Sequence, residues 1–376
     1  MQIKPLIALY PKVSLIGSPN TFCREAKNQF NHYLESGFYK HNPEPAFFVI
    51  QIENGAHRHT GLVGLNHVQD FLDGHIKKHE KTLSERELKH KELFLRWQAV
   101  LKPVLLAYDP VTELQEWLVN YSHEHHPVLT VHLKKAEMTH RFWAITSTAD
   151  IAFLQNIFSE KIRDTYIADG HHRSSTTARL FHDSSFASSG LDMNHLFCAW
   201  FSSDQLDILD YNRVVEGVKK IGAGRLMAKL SRLFEIECLD APRKPHEKHE
   251  IVMYLQKEWY ALRWRKSVLE VAEDGYDTLD TDLINDLVIN QIFKIKDVRT
   301  DTRIGYVEGS KGLEGVQSLA NRKKNDNVGF VFHPVSFSDM KRLADAGKSL
   351  PPKSTYFEPR LKSGLLVRML DPNMLP

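Results

Sequence analysis

Apolar side chains recur along this chain with two periods, every third or fourth residue in some stretches and every second in others. In residues 21–39, "TFCREAKNQFNHYLESGFY", Phe22, Ala26, Phe30 and Leu34 share one helical face, and Thr21 is the candidate cap. Residues 45–53, "PAFFVIQIE", and 58–68, "RHTGLVGLNHV", read as strands joined at Asn54-Gly55, a hairpin signal. A charged helix follows over 84–97, where Ser84 and Glu87 fit a capping box. "PVLLAYD" at 103–109 is a buried strand, "VLTVHLK" and "HRFWAIT" form a second hairpin, and "DIAFLQNIFSEKI" is a helix. Residues 165–168 then predict a strand and 174–181 a helix, with a serine-rich loop over 182–190. "HLFCAWFSSDQLDILDYNRVV" predicts two strands around a Ser-Ser-Asp turn. Beyond residue 216 the pattern turns helical, over 217–233 and 249–262, with "LDAPRKPHEKHE" as an exposed loop between them. Short strands return in "RIGYVEGSKGLEG" and "VGFVFHPVS", and the proline-rich end is extended. Helices and strands mix without a βαβ rhythm, which makes the fold class α+β. The change of pattern divides the chain into 1–215 and a C-terminal α+β region, 216–376, that completes a cleft.

Composition narrows the function. With 376 residues, 42% of them hydrophobic, the chain can bury a normal core. A net charge of +2 gives no argument for a nucleic-acid partner. No apolar run approaches the ~18 residues of a membrane span, and three cysteines without CxxC spacing fit a reducing compartment. The expectation is a cytoplasmic protein that binds neither nucleic acid nor membrane. Its oligomeric state is not legible. Of the 20 histidines most are scattered, and "HEHHP" at 123–127 reads as a surface loop.

Candidate chemistry is concentrated at "YIADGHHRSSTTARLF", residues 166–181. A strand that ends at Ala168 and a helix over 174–181 would put Gly170, His171, His172 and Arg173 at the helix start. Free backbone N–H groups and the positive dipole end favour an anion there. Gly170 permits a tight turn, Arg173 offers a fork matched to phosphate oxygens, and Asp169 is hard oxygen suited to Mg²⁺. The plainer alternative has Asp169 capping the helix and the histidines as ordinary surface or core residues.

Other stretches carry weaker signals. In "IKKHEKT", with Lys77, Lys78, His79 and Glu80, the carboxylate is a general base if it reaches a substrate hydroxyl, and otherwise part of a solvated charge run. "DVRTDTRIGYVEG" alternates Asp297, Arg299, Asp301 and Arg303 as a salt-bridged strand edge would, and "DYNRVV" ends a strand with Asn212 and Arg213. "PPKSTYFEPRLKSG" interleaves Lys353, Ser354, Thr355, Arg360 and Lys362 between stiffening prolines. It is either a structural strap or a loop that holds an anionic ligand with little ordering.

Together, "YIADGHHRSSTTARL", "HEKT", "LDYNRVV", "DVRTDTRIGYVEG" and "PPKSTYFEPRLKSGL" resemble the motifs of the family called domain of unknown function 1015. "LIGSPNTF" stands where that family's N-terminal motif would be. The "DGHHR" and "HE" elements are also similar to those of free serine kinases with a ParB/sulfiredoxin-like fold. The resemblance implies a ParB/sulfiredoxin-like nucleotide-binding core with an N-terminal extension in residues 1–215. It implies Mg²⁺ and nucleotide phosphates at Asp169 and the turn Gly170, His171, His172 and Arg173. Glu80 would then be the base on a serine hydroxyl, with His79 beside it and ATP or ADP as donor. Arg303, Lys353 and Ser354 are the expected substrate-binding residues. The expected activity is a Mg²⁺-dependent phosphotransferase that forms phosphoserine, and the alternative is a nucleotide-binding regulator without kinase activity. A metal-and-water hydrolase ranks last, because the histidines lack zinc-site spacing.

Overall fold

A computed structural model describes residues 1–55, 57–134, 137–183, 186, 190–271, 279–323 and 326–371. The fold is mixed α and β in two units, as the class expected from sequence requires. One unit comprises residues 1–207 together with 359–376, and the other residues 208–358.

The first unit is built on a nine-stranded sheet. Its order is Ile76–Lys77, Thr165–Asp169, Val104–Tyr108, His195–Ser202, His57–His67, Phe47–Asn54, Met138–Ile145 and Leu129–Leu133, with Ile3–Lys4 also paired to His57–His67. Both expected hairpins form: Phe48 pairs with Val63 through to Asn54 with His57, and Met138 pairs with Leu133. Two pairings are parallel, His195–Ser202 with Val104–Tyr108 and Thr165–Asp169 with Ile76–Lys77. Phe47, Val49, Leu62, Leu106, Phe158 and Trp200 fill the core, each fully buried apolar side chain stabilising by roughly 1.5–3 kcal/mol. Gly64 lets the sheet close around them, because a Cβ there would stand 2.6 Å from the Phe47 ring. A four-stranded sheet, Tyr39–His41, Ala8–Pro11, Val367–Met369 and Ala99–Val100, ties the C-terminal segment into this unit.

Several helix ends differ from expectation. The first helix is Pro19–Glu35, and its cap is Ser18, whose hydroxyl accepts from the Thr21 N–H, with Pro19 in the first turn. Thr21 is therefore inside the helix, and Tyr39 lies in a strand. Helix Ser84–Trp97 has Leu83 at its cap and no capping box. Glu87 instead reaches back past the cap to accept from the Thr82 hydroxyl, and it also accepts from Arg179. Helix Thr112–Glu124 takes in the first half of "HEHHP". The serine-rich loop at 182–190 lies largely outside the described residues.

The second unit carries a six-stranded antiparallel sheet in the order Phe234–Leu239, Glu258–Trp264, Glu250–Leu255, Asn327–Phe332, Tyr211–Glu216 and Ile304–Glu308. Strands do flank the Ser-Ser-Asp turn as expected, His195–Ser202 before it and Asp207–Leu209 and Tyr211–Glu216 after it, and the last of these pairs within the second unit's sheet. The helix expected over 249–262 is a hairpin of Glu250–Leu255 and Glu258–Trp264, turned at Gln256 and Lys257 with φ of 52° and 72°. Its β-branched and aromatic side chains favour the pleated surface. The helix expected over 217–233 is broken at Gly222 into Val218–Ile221 and Ala223–Leu230. Leu226, Leu230, Met253, Leu262, Val288 and Phe330 belong to this unit's main core.

Candidate active site

Sheet register sets the position of the candidate acids. Strand Ile76–Lys77 pairs in parallel with Thr165–Asp169, Ile76 opposite Thr165 and Lys77 opposite Tyr166. Glu80 follows the first strand by three residues and Asp169 ends the second, so parallel pairing sends both carboxylates to the same sheet end. Gly170 then turns the chain into helix His171–His182. Its φ is 117°, and a Cβ there would lie 2.9 Å from Arg173 Nη2 and 3.3 Å from Val104 Cα. Only glycine meets both the left-handed backbone and the close approach. No side chain caps this helix, and no acidic residue lies in its first turn. Its first backbone N–H groups thus point into a region that favours an anion.

Three cations surround Asp169. Lys102 Nζ donates to Oδ2 at 2.6 Å, Arg173 Nη2 to Oδ2 at 2.9 Å, and Arg360 Nη1 to Oδ1 at 3.3 Å. Burial resists ionisation of this carboxyl, but Lys102, Arg173 and Arg360 outweigh it and hold the group far below the usual carboxylate range. Burial, partly offset by Asp169, brings Lys102 down to about 8. Lys27, on the first helix, is also lowered by burial and by Arg173, while Asp169 pulls the other way. Arg173 also donates to the carbonyls of Lys102 and Pro103, which fastens the turn before strand Val104–Tyr108 to the helix start.

Burial disfavours the charged form of the histidines here. Burial pushes His79 down to about 3 and His171 well below its usual value. Their rings meet edge to face, with centroids 4.5 Å apart. Glu80 Oε2 lies 3.8 Å from His171 Nδ1, and the Glu80 side chain is 34% exposed, enough to meet a solute. His171 Nε2 is buried with no hydrogen-bond partner among the described residues. His172 is lowered by burial and by Arg86 against the pull of Glu87, and its ring stacks 6.4 Å from His90. A separate cleft of about 560 Å³ runs along the later turns of the same helix, lined by Lys78, Thr82, Glu87, Lys91, Thr176 and Arg179 among others, and none of Glu80, Asp169, Gly170, His171, His172 or Arg173 lines it.

The structure thus gathers Glu80, His79, Asp169, Gly170, His171, His172 and Arg173 around one helix start. Arg303, Lys353 and Ser354 belong to the second unit. Arg303 pairs with Asp301 at 2.6 Å, as the alternating charges predicted. Lys353 Nζ lies 5.0 Å from the Tyr211 ring centroid. Ser354 is buried and donates to the Pro351 carbonyl at 2.8 Å, with Thr281 Oγ1 at 3.2 Å. Sequence reasoning did not single out Lys102 or place Arg360 at this site. The one available signal was a lysine directly before a proline that opens a buried strand.

Among the described residues no group of three or more His, Cys, Asp or Glu side chains is placed to hold a metal ion. Asp169 and Glu80 make a sparse donor set. That set fits a magnesium ion carried by ligand phosphates, which needs one or two carboxylates, and not a cage made of protein ligands.

No curated protein matches the chain. Among solved structures, SbnI from Staphylococcus aureus with a C-terminal truncation aligns at 12% identity and TM-score 0.43, over 82% of this chain and 87% of that one. A free serine kinase variant in complex with ADP aligns at 12% identity and TM-score 0.40, over 83% and 93%. A conserved hypothetical protein from Pyrococcus furiosus aligns at 14% identity and TM-score 0.39, over 82% and 96%. Residues 10–282, most of the chain, match a family described as "Protein of unknown function (DUF1015)", and the chain belongs to that family.

Proposed function

We propose that this protein is a Mg²⁺-dependent phosphotransferase acting on a small hydroxyl compound, with free L-serine as acceptor and ATP or ADP as donor. One observation carries the reading: a carboxylate that can accept a proton and a cation-ringed, uncapped helix start meet at His171, two residues after Asp169. Phosphoryl transfer needs positioning and charge neutralisation more than covalent help, and this arrangement offers both. The helix start at Gly170, His171, His172 and Arg173 would receive the phosphates. Asp169 would hold Mg²⁺ together with phosphate oxygens, and the ion would supply further neutralisation of their charge. Glu80 Oε2 would take the proton from the acceptor hydroxyl, with His79 packed against His171 to keep the site dry. The choice of serine rests on the likeness of "HEKT" and "ADGHHR" to free serine kinase motifs.

The test is to incubate the protein with Mg²⁺, labelled ATP or ADP and a panel of amino acids, and to look for phosphoserine. Glu80→Gln should keep nucleotide binding and lose turnover by at least about 100-fold, the usual contribution of a general base. Normal turnover of Glu80→Gln would remove Glu80 from the mechanism. Nucleotide binding without transfer to any acceptor would favour the regulator.

A further inference from the structure

We propose that the cleft along the later turns of helix His171–His182 binds a small organic acid, one with an apolar body and a single carboxylate head. The site is separate from the helix start, and the inference does not depend on the phosphotransferase reading.

The cleft's 560 Å³ falls within the range of small-molecule sites. Phe71, Leu72, Leu88, Ala178 and Leu180 give it apolar walls. They come from the short helix Gln69–Leu72, from helix Ser84–Trp97 and from helix His171–His182. The two longer helices are tied together by Thr176, whose hydroxyl donates to the carbonyls of His172 and Glu87. The walls therefore stand in place before anything enters, which lowers the ordering cost of binding. Leu88 is 55% exposed, among the few large apolar side chains left open to water in the described residues. An apolar body seated in the cleft would cover such surface, which favours binding.

The lining carries one more cation than it has carboxylates. Arg179 pairs with Glu87 at 2.7 Å, and Lys91 with Asp183 at 3.3 Å. Burial resists ionisation of Glu87, but hydrogen bonds from Thr82 and Arg179 outweigh it and keep the group a carboxylate. Lys78 has no carboxylate partner among the described residues, and its ammonium lies 5.3 Å from the centroid of the Phe71 ring, against the apolar wall. The Ser175 hydroxyl also lines the cleft and makes no hydrogen bond among the described residues. One surplus positive charge and one spare donor beside an apolar wall match a monoanion. A carboxylate would accept from both Lys78 and Ser175. A phosphate monoester would bring nearly two negative charges to a single unmatched cation, and fits less well.

The experiment titrates the full chain by calorimetry with octanoate, with octan-1-ol and with acetate, and follows thermal unfolding of every variant. Octanoate should bind, octan-1-ol should bind about 10-fold more weakly, and acetate should give no measurable heat. Lys78→Gln should weaken octanoate by about 10-fold, the lower end of what a hydrogen bond to a charged group contributes, because Lys78 is exposed. The same variant should leave octan-1-ol binding and the unfolding midpoint unchanged, and Lys78→Arg should recover most of the octanoate affinity. Leu88→Ser should weaken octanoate and octan-1-ol alike. Failure of octanoate to bind would overturn the proposal. So would octanoate binding that Lys78→Gln leaves unaltered, since that is apolar adhesion without a site for the head. Either failure leaves the phosphotransferase reading standing. Displacement of octanoate by ADP would overturn the separate assignment and join the cleft to the phosphate site.

Discussion

At the scale of single residues, burial decides which groups carry charge. His79 and His140 are each pushed by burial to about 3. In the unfolded chain both would take up protons near pH 6.5. Between pH 6.5 and about 3 the unfolded state therefore binds more protons than the folded one, and stability falls as the solution is acidified. Above pH 6.5 these groups have no effect. Each contributes up to about 1.4 kcal/mol per pH unit within the window. Thermal unfolding between pH 7.5 and 5 should show a falling midpoint, and His140→Leu should flatten the slope. A midpoint constant over that range would contradict the assignment. The residue scale also shows what the sequence could tell. Asp169 stood out because an acid precedes Gly-His-His-Arg at a strand-to-helix turn, whereas Glu80, one of several acids that follow a histidine, came forward only through the resemblance of "HEKT" to the kinase motifs. Lys102 and Arg360 did not, because a lysine at a strand entrance and an arginine among prolines look like ordinary solvated charge. Only their arrival at Asp169, from 67 and 191 residues away, makes them part of a site.

At the scale of elements, alternation was legible wherever one face of a strand met water or a turn marked its end, as in Phe47–Asn54 and His57–His67. It failed over 249–262. There "IVMYL" and "WYALRW" are apolar enough to satisfy both periods, and no Asn-Gly signals the turn. The chain reverses instead at Gln256 and Lys257, both in the left-handed region. Side chains with a Cβ are strained there, at about 1–2 kcal/mol per residue. Replacing the pair by Asn-Gly should raise stability by about 1 kcal/mol, since those residues suit a two-residue hairpin. Denaturant unfolding measures it, and a loss of stability would mean that the turn side chains make contacts worth more than the strain. Gly170 makes the opposite case. Gly170→Ala should destabilise by about 1–3 kcal/mol, because alanine would meet both a φ of 117° and the Arg173 guanidinium. An unfolding midpoint equal to that of the unaltered protein would refute it.

At the scale of the whole molecule, the chain leaves its first unit after Asp207 and rejoins it at Pro359. Residues 208–358 hold a complete sheet and a core of their own. Expressed alone, they should unfold in one cooperative transition, and a broad, non-cooperative melt would show that they need the remainder. The first unit has no such independence from its late segment. Strand Val367–Met369 lies between Ala8–Pro11 and Ala99–Val100, Arg368 is bound to Asp192, and Tyr39 donates to the Gly364 carbonyl. Hydropathy carries no trace of this return, because two apolar residues flanking an arginine do not say which sheet they will join.

The contact between Arg360 and Asp169 has a consequence for synthesis. During translation the ribosome must add 191 residues after the aspartate before the arginine that reaches it exists. The sheet that carries Asp169 can form early, but a nascent chain would display that acid with only its two earlier cations. Completion of the charge cluster thus reports that the polypeptide has been made almost to the last residues described here. A messenger cut short before codon 360 would lose the third cation at Asp169 together with strand Val367–Met369, the middle of the sheet that closes the first unit.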